Sequence, residues 1–272
     1  AELGCASPPE VVIGADLPGP ALPGGEVQRR ASARLTPFLR DHTVATSPVV
    51  PVALAMEWFA QAAREIAPGR ELAAIEGLSG MKGIVLANFD GDGDAYRVVL
   101  TPDGPDRYRA EIRGSSGALH YRAKLALGSR LPSPPVAPRL SLAPYPLDAE
   151  EVYQGALFHG PDFQVCREIG VAPEGMGCEL AGTADKGWAP PEEGHWLIDP
   201  AALDGGLQLA LLWNREHTGS ASLPTAIGAW RAYTGAGDPV RCVLLPRNGT
   251  GSRVDLLLVD RSGKVSYSLE SV

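Results

Sequence analysis

Few residues of this chain combine a reactive side chain with a suggestive position. It has 5 histidines, and none of them forms an HxxxH or HExxH pair or lies beside cysteines at a spacing typical of metal ligands. The GxGxxG, GxxxxGKS/T, GxSxG and CxxC motifs are also absent, so no dinucleotide, phosphate, serine-nucleophile or dithiol site is indicated. Two candidates remain: His42, in a loop before an apolar segment, and Asp204, inside a second apolar segment.

Asp204 is the more unusual of the two, because a histidine in a loop is by itself most often an ordinary, partly exposed residue. Asp199 precedes a proline and is expected to cap a helix. Asp204 falls in the second turn of that helix, where burial would disfavour the anion, so the sequence predicts a carboxyl group that can donate a proton at neutral pH. Gln208, one turn later on the same face, is expected to hydrogen-bond to Asp204.

Two apolar segments are predicted to form the helices that position these residues. Val52–Ile66 is rich in Ala, Leu, Met, Trp and Phe and stops before Pro68-Gly69, and a second helix is predicted over about 201–215. Neither segment has a polar stripe wide enough for a surface helix, so both helices should be buried.

Strand-like runs separated by turn residues surround each predicted helix. They lie at 27–35, 83–88, 95–101, 107–113 and 118–127 in the first half, and at 163–171, 177–182, 226–233, 241–246, 253–259 and 265–269 in the second. Residues 37–51 are predicted to be a loop. The shared order predicts an α+β fold of two halves, each a long helix wrapped by an antiparallel sheet.

The predicted organisation is a lead-in over 1–26, a first half over 27–130, a proline-rich connector over 131–148 and a second half over 149–272. Hydrophobic residues make up 44% of the 272 residues, and Gly 32 with Pro 25 indicates many turns. The longest apolar run is far shorter than the roughly 18 residues of a membrane span, so no membrane partner is expected. The net charge of -8, without a basic and aromatic cluster, gives no indication of nucleic-acid binding.

The cysteines and the first residues indicate the cellular setting. Cys5, Cys166, Cys178 and Cys242 have no spacing typical of disulfides or metal ligands, so we expect free thiols in a reducing cytoplasm. The chain opens Ala-Glu-Leu-Gly without a signal sequence, which is typical of a piece of a longer polypeptide.

Three segments resemble motifs of one enzyme family. Residues 41–51 (DHTVATSPVVP) resemble the HxxxGxxxxP motif of the dehydratase domains of polyketide and polyunsaturated fatty acid synthases, and residues 199–208 (DPAALDGGLQ) resemble their DxxxQ/H motif. Residues 158–163 (FHGPDF) resemble the end of the YxxxGxxYGPxF motif, in the variant with histidine before Gly-Pro, although Tyr153 and Gly155 stand one residue out of register. The motifs occur in the family's order, and the resemblance extends from about residue 27 onward.

The resemblance implies a double-hotdog fold and an elimination reaction. A 3-hydroxyacyl thioester carried on the phosphopantetheine of an acyl carrier protein would lose water and become a trans-2-enoyl thioester. His42 would take the α-proton as base and Asp204 would protonate the departing hydroxyl. No metal or redox cofactor is implied.

Further contacts and partners follow from the same resemblance. Five residues are implied to bind substrate: Gln208, Tyr153, His159, Gly160 and Pro51. The implied partners are an acyl carrier protein and other domains of the same synthase. Whether the chain forms a homodimer is left open. A local basic patch would dock the acidic carrier protein, and its candidates are Arg29, Arg30, Arg34, Arg40 and Arg231. The enolate charge would be stabilised by amides at the start of the 201–215 helix or in the 158–160 turn.

Thr46 occupies the position of the first motif's glycine, which raises two alternatives. A threonine there could narrow the site or shift the loop, and the chain would then be a noncatalytic double-hotdog domain for carrier-protein docking or scaffolding. Hotdog folds also host thioesterases, so thioester hydrolysis is a further alternative.

Glu57 is a rival to Asp204 as the acid. The segment from Pro48 resembles the single-hotdog dehydratases, whose helix carries a glutamate six residues after the second proline, which is the place of Glu57. In a fused pair Glu57 should face the loop before the second helix, where counting nine back from Pro200 reaches Pro191 and not a histidine. We therefore expect one working site per chain, with a His42–Glu57 site between two chains as the alternative.

Overall fold

The computed structural model, which describes residues 22–190, 194–219, 223–247 and 253–272, contains both predicted apolar helices. Helix α1 spans Val52–Ile66, as predicted, and every residue in its central stretch of 53–63 is buried. A short helix, α2, spans Ala149–Gly155. Helix α3 spans Pro200–Thr218, and the predicted cap is confirmed because the Asp199 side chain accepts a hydrogen bond from the Ala202 N–H at 3.0 Å.

The described residues form strands of 2 to 10 residues each. They are β1 Gly25–Ala31, β2 Thr43–Val44, β3 Ser47–Val50, β4 Glu71–Gly80, β5 Ile84–Val85, β6 Asp94–Pro102, β7 Arg107–Gly114, β8 Leu119–Gly128, β9 Ala143–Pro144, β10 Cys166–Ala172, β11 Gly175–Leu180, β12 Ala226–Ala232, β13 Pro239–Pro246, β14 Val254–Asp260 and β15 Val265–Glu270.

One antiparallel sheet runs through both halves of the chain. Its strand order is β1-β6-β7-β8-β4-β12-β15-β14-β13-β11-β10-β9, and the halves join where β12 pairs with β4, with Trp230 opposite Ile75. Helix α1 lies against β1, β4 and β6, α3 lies against β10, β11, β13 and β14, and the two helices contact each other. This arrangement is the predicted α+β double hotdog.

Several elements were absent from the sequence-based prediction. β4 was missed because Glu71–Gly80 is rich in helix-forming Glu, Ala and Leu, and register shifts along β4 remove a clean alternation. α2 was missed although Asp148 and Glu151 form a capping box at its start. The predicted 37–51 loop contains a 3₁₀ turn at Pro37–Asp41 and the strands β2 and β3, and the proline-rich connector contains β9.

The predictions for the chain start and the cysteines are only partly within the described residues. Residues 1–21 of the predicted lead-in, Cys5 and Pro191 lie outside them. Cys166, Cys178 and Cys242 are buried free cysteines, as predicted. None of the described helices is long and apolar enough to cross a bilayer.

The backbone conformation of the β2–β3 turn leads to a prediction about stability. Ala45 has φ 57, in the left-handed region, whereas Thr46 does not have a positive φ. Ala45→Gly should raise the free energy of unfolding by about 1 kcal/mol, because glycine adopts this conformation without a Cβ clash. Thr46→Gly is the matched control and should be destabilising by about 0.5–1 kcal/mol. Denaturant unfolding measures both, and equal shifts for the two variants would contradict the assignment.

Candidate active site

His42 follows the 3₁₀ turn and is held on both its backbone and its ring. Its N–H donates to Leu39 O at 3.1 Å, and its carbonyl accepts from the Val49 N–H at 2.9 Å. The ring Nδ1 lies 2.9 Å from Val49 O. A carbonyl can only accept a hydrogen bond, so Nδ1 carries the proton in the neutral ring and Nε2 keeps a free lone pair.

The surroundings of His42 favour the neutral imidazole. Its ring lies among Phe158 and Phe163, with centroid distances of 5.2 and 4.9 Å. Burial lowers the pKa of His42 below 6.5, although the negative charge of Asp204 and the backbone hydrogen bonds oppose this shift. The His42 imidazole is therefore mostly unprotonated at neutral pH.

Asp204 projects from α3 and is held by a chain of hydrogen bonds. It is 3% exposed, and Gln208 Nε2 donates to its Oδ2 at 2.7 Å, which confirms the predicted contact one turn apart. The same Nε2 donates to Phe163 O at 2.8 Å, while Gln208 Oε1 accepts from the Tyr153 hydroxyl at 2.7 Å. These bonds fix both the side-chain amide and the carboxyl that it orients.

His159 completes a group of three polar side chains. Its Nε2 lies 3.6 Å from Asp204 Oδ2, and its ring stacks on Phe158 at 4.1 Å. Its buried Nδ1 has no hydrogen-bond partner among the described residues. Burial lowers the pKa of His159 to about 4, opposed by the charge of Asp204 and assisted by His42.

The three side chains open onto one cavity of about 330 Å³. One potential ligand atom each of His42, His159 and Asp204 lies within 4.8 Å of the others. Most other lining residues are apolar and come from both halves of the chain. Four of the apolar lining residues are exposed: Val44, Val85, Phe158 and Leu223. A long apolar group with a polar end fits this cavity best.

The structure separates the predicted substrate contacts into two groups. Gln208, His159 and Pro51 line the cavity, whereas Tyr153 and Gly160 are not among its described lining residues. The Tyr153 hydroxyl instead accepts from the Cys166 N–H at 2.8 Å and donates to Gln208. Contact of Tyr153 and Gly160 with substrate stays a prediction: in the structure the Tyr153 hydroxyl supports Gln208, and Gly160 packs on Asp41.

Asp41 is the site residue that the sequence reasoning missed. Its Oδ2 accepts from the Asp162 N–H at 2.7 Å, and its carbonyl accepts from the Gly160 N–H at 2.8 Å. A Cβ at Gly160 would lie 2.8 Å from Asp41 Cγ, so a glycine is needed for this approach. Asp41 thus joins the loop of His42 to the turn that carries His159. Its position directly before His42 was the available signal.

Breaking this junction should misplace both histidines. We expect Asp41→Ala to lower kcat of the reaction proposed below by about 10- to 100-fold, because small displacements of reacting groups cost this much. Asp41→Asn keeps an acceptor for the Asp162 N–H and should recover most of the rate. Steady-state kinetics on folded protein measures both, and equal losses for the two variants would contradict a positioning role.

Known proteins provide a direct comparison for this site and fold. A family model described as "Polyketide synthase dehydratase N-terminal domain" matches residues 132–272, which is more than half of the chain. The chain belongs to the polyketide synthase dehydratase family. A second model of this dehydratase family, described as "Polyketide synthase dehydratase domain", matches residues 13–115. The resemblance drawn from the three motifs is confirmed.

Relatives of this dehydratase-family domain agree with the assignment. A polyunsaturated fatty acid synthase subunit from Thraustochytrium sp. is 30% identical over 239 residues, which cover 82% of this chain and 8% of that protein. The solved dehydratase domain of a mycocerosic acid synthase-like polyketide synthase has a TM-score of 0.73 at 20% identity, covering 90% of this chain and 89% of that one. A trans-AT polyketide synthase dehydratase domain from Brevibacillus brevis has a TM-score of 0.72 at 18% identity, covering 91% and 92%. The solved structures share the fold.

Thr46 of the dehydratase-family domain lies away from the cavity. It is exposed in the β2–β3 turn and is not among the described cavity-lining residues. The positive φ in this turn belongs to Ala45. The expectation that Thr46 narrows the site is therefore wrong, whereas an effect of Thr46 on the position of the loop stays a prediction.

Glu57 of the domain is a structural residue that faces the loop before α3, as predicted. It is 0% exposed. Its Oε1 accepts from the Leu197 N–H at 3.0 Å and from Gln61 Nε2 at 2.7 Å, and its Oε2 accepts from the Ile198 N–H at 2.9 Å. Burial raises the pKa of Glu57 to about 7. These contacts within the chain enclose the carboxyl group, and the alternative of a His42–Glu57 site between two chains stays untested.

The loop that faces Glu57 contains one described histidine, which points elsewhere. His195 is exposed, and its Nε2 lies 3.3 Å from Arg64 Nη1. The cluster of His42, His159 and Asp204 therefore has no counterpart among the described residues around Glu57.

The arginines predicted to dock a carrier protein are mostly engaged within the domain. Arg29 is 4% exposed and pairs with Glu65, so its prediction as a docking residue is wrong. Arg30 donates to Asp92 O, and ion pairs join Arg40 to Asp90 and Arg231 to Glu270.

Proposed function

We propose that this domain removes water from 3-hydroxyacyl thioesters carried by an acyl carrier protein and yields trans-2-enoyl thioesters, as one domain of a multidomain polyketide or polyunsaturated fatty acid synthase. The observation that carries the proposal is the meeting of His42, from the first half, with Asp204, from the second half, in one largely apolar cavity. Family membership and the relative from a polyunsaturated fatty acid synthase support it.

His42 is the base in the proposed reaction. The thioester carbonyl acidifies the neighbouring C–H, and Nε2 accepts this α-proton while Nδ1–H stays bonded to Val49 O. The electron pair of the C–H bond forms the new carbon–carbon double bond. Val49 therefore holds the ring in the tautomer that accepts a proton at Nε2.

Asp204 is the acid in the proposed reaction. Its carboxyl group, 3% exposed, donates a proton to the hydroxyl on the β-carbon, and the carbon–oxygen bond breaks to release water. Gln208 orients the carboxyl through its 2.7 Å hydrogen bond. The elimination is balanced by one proton taken and one proton given, so the proposed chemistry requires no redox cofactor or metal.

The start of α1 is the proposed site of enolate stabilisation. One amide of each candidate that the sequence suggested is occupied, since the Ala202 N–H donates to Asp199 and the Gly160 N–H donates to Asp41 O. The N-cap of α1, Pro51, makes no side-chain cap, and Pro51 and Val52 line the cavity. The first amides of a 15-residue helix and its dipole favour negative charge on a carbonyl oxygen placed there.

A turnover assay tests the proposal. The domain is incubated with a 3-hydroxyacyl N-acetylcysteamine thioester and with the same acyl group on a carrier protein, and products are separated by mass spectrometry. We expect enoyl thioester from the wild type and no more than background from His42→Ala. Equal amounts from both proteins would overturn the proposal, and free acid as the dominant product would establish a thioesterase instead.

A further inference from the structure

The cluster of His42, His159 and Asp204 has a second property besides acid–base chemistry. Within the described parts of the chain, this is the one set of three histidine, cysteine or carboxylate side chains whose potential ligand atoms all lie within 4.8 Å of one another. All three residues are at least nine-tenths buried, with exposed fractions of 7%, 4% and 3%. Two imidazoles and one carboxylate are a donor set that divalent zinc accepts.

The distances within the cluster approach those of a metal site. Four-coordinate Zn²⁺ holds nitrogen and oxygen ligands at about 2.0–2.2 Å, which places neighbouring ligand atoms about 3.3 Å apart. His159 Nε2 and Asp204 Oδ2 are already 3.6 Å apart. Because the remaining pairs are no more than 4.8 Å apart, closing each to coordination distance takes a change of at most about 1.5 Å in its separation.

The hydrogen bonds around the cluster suit coordination. A histidine that binds a metal usually donates its other ring N–H to a carbonyl or carboxylate, and His42 donates Nδ1–H to Val49 O at 2.9 Å, which leaves Nε2 available. Gln208 Nε2 donates a hydrogen bond to Asp204 Oδ2 at 2.7 Å and so orients the carboxyl group. Two of the three side chains therefore have the outer contacts of metal ligands.

We propose that His42, His159 and Asp204 form an inhibitory Zn²⁺ site, in which the fourth coordination position faces the cavity. The metal takes the lone pair of His42 and the carboxyl of Asp204, so bound Zn²⁺ and dehydration exclude each other. The inhibitory part rests on the proposed function, whereas the binding part does not. Mg²⁺ and Ca²⁺ prefer oxygen ligands and should not bind here.

Binding is tested on the full chain without any substrate. The metal-free protein is titrated with Zn²⁺ by calorimetry and with Co²⁺ by visible absorption, which reports four-coordinate cobalt. We expect one ion per chain with a Zn²⁺ dissociation constant of about 1 µM or tighter, tetrahedral Co²⁺ bands, and no signal with Mg²⁺.

Variants locate the ion. His159→Phe keeps the stacking on Phe158 but removes a ligand, and Asp204→Asn keeps the side-chain shape; each should weaken Zn²⁺ binding by about 100-fold. His195→Gln, at an exposed histidine outside the cluster, is the matched control and should bind like the wild type. Unfolding curves show which variants are folded. Absence of binding, or binding that survives both cluster variants, would overturn the proposal.

Turnover tests the inhibitory part separately. Zn²⁺ at saturating concentration should abolish formation of enoyl thioester by the wild type, and a chelator should restore it. If the domain binds Zn²⁺ at the cluster but shows no dehydration even when metal-free, the proposed function fails and the metal site stands. If dehydration continues with the cluster occupied, the inhibitory role is overturned.

Discussion

Replacing Asp204 by asparagine should lower the dehydration rate by about 10² to 10⁴-fold, the usual contribution of a general acid. Asparagine has nearly the same shape, so it can retain the contact with Gln208 that now measures 2.7 Å. It has no acidic proton for the departing hydroxyl, so the loss should appear in kcat with little change in KM. Steady-state assays on the N-acetylcysteamine substrate measure this effect.

Glu57→Gln is the matched control for Asp204→Asn, because both residues are buried acids on the two central helices. Its rate per folded molecule should stay near wild type. Its stability should fall by about 1–3 kcal/mol, since the new side-chain NH₂ would face the backbone N–H groups of Leu197 and Ile198 that now donate to the carboxylate. Denaturant unfolding separates the stability loss from the rate. A large rate loss in Glu57→Gln with Asp204→Asn unaffected would show that the acid is misassigned.

The elements that the sequence predicted well have local causes. Helix α1 agrees with its predicted bounds because an apolar run begins after one proline and ends before Pro68-Gly69. Asp204 stood out because a carboxyl in the second turn of an apolar helix has no capping role, and Gln208 is its neighbour by helix periodicity alone. Propensity and periodicity were sufficient for these features.

The features that the sequence did not predict depend on contacts between distant segments. β4 has a helix-like composition and is a strand because it pairs with β8 and β12. Tyr153 was assigned to substrate from its motif, yet its hydroxyl meets Gln208, 55 residues later. The role of Asp41 depends on the Asp162 N–H, 121 residues away. Side-chain partners at such separations are set by the tertiary fold, which local patterns do not determine.

The pH dependence of dehydration should reflect the burial of His42. Protonated His42 cannot accept the α-proton, so kcat/KM should rise as pH increases through the pKa of this histidine in the free enzyme. Burial lowers that pKa below 6.5, and the attraction of Asp204 only partly offsets the shift. The midpoint of the acid limb should therefore lie below pH 6.5. His42→Gln should lose about 10² to 10⁴-fold at every pH and lack the limb.

His159 is the other imidazole that lines the cavity, so a variant of His159 shows which histidine causes the acid limb of the pH profile. The pKa of His159 is about 4, well below its usual value because of burial. The His159→Phe protein should therefore retain an acid limb with a midpoint below pH 6.5, whatever the size of its overall rate. A substrate without ionisable groups, such as the N-acetylcysteamine thioester, ensures that the limb belongs to the enzyme. A midpoint at or above pH 6.5 in the wild type would mean that attraction by Asp204 exceeds the cost of burial, and loss of the limb in His159→Phe would transfer the role of base from His42 to His159.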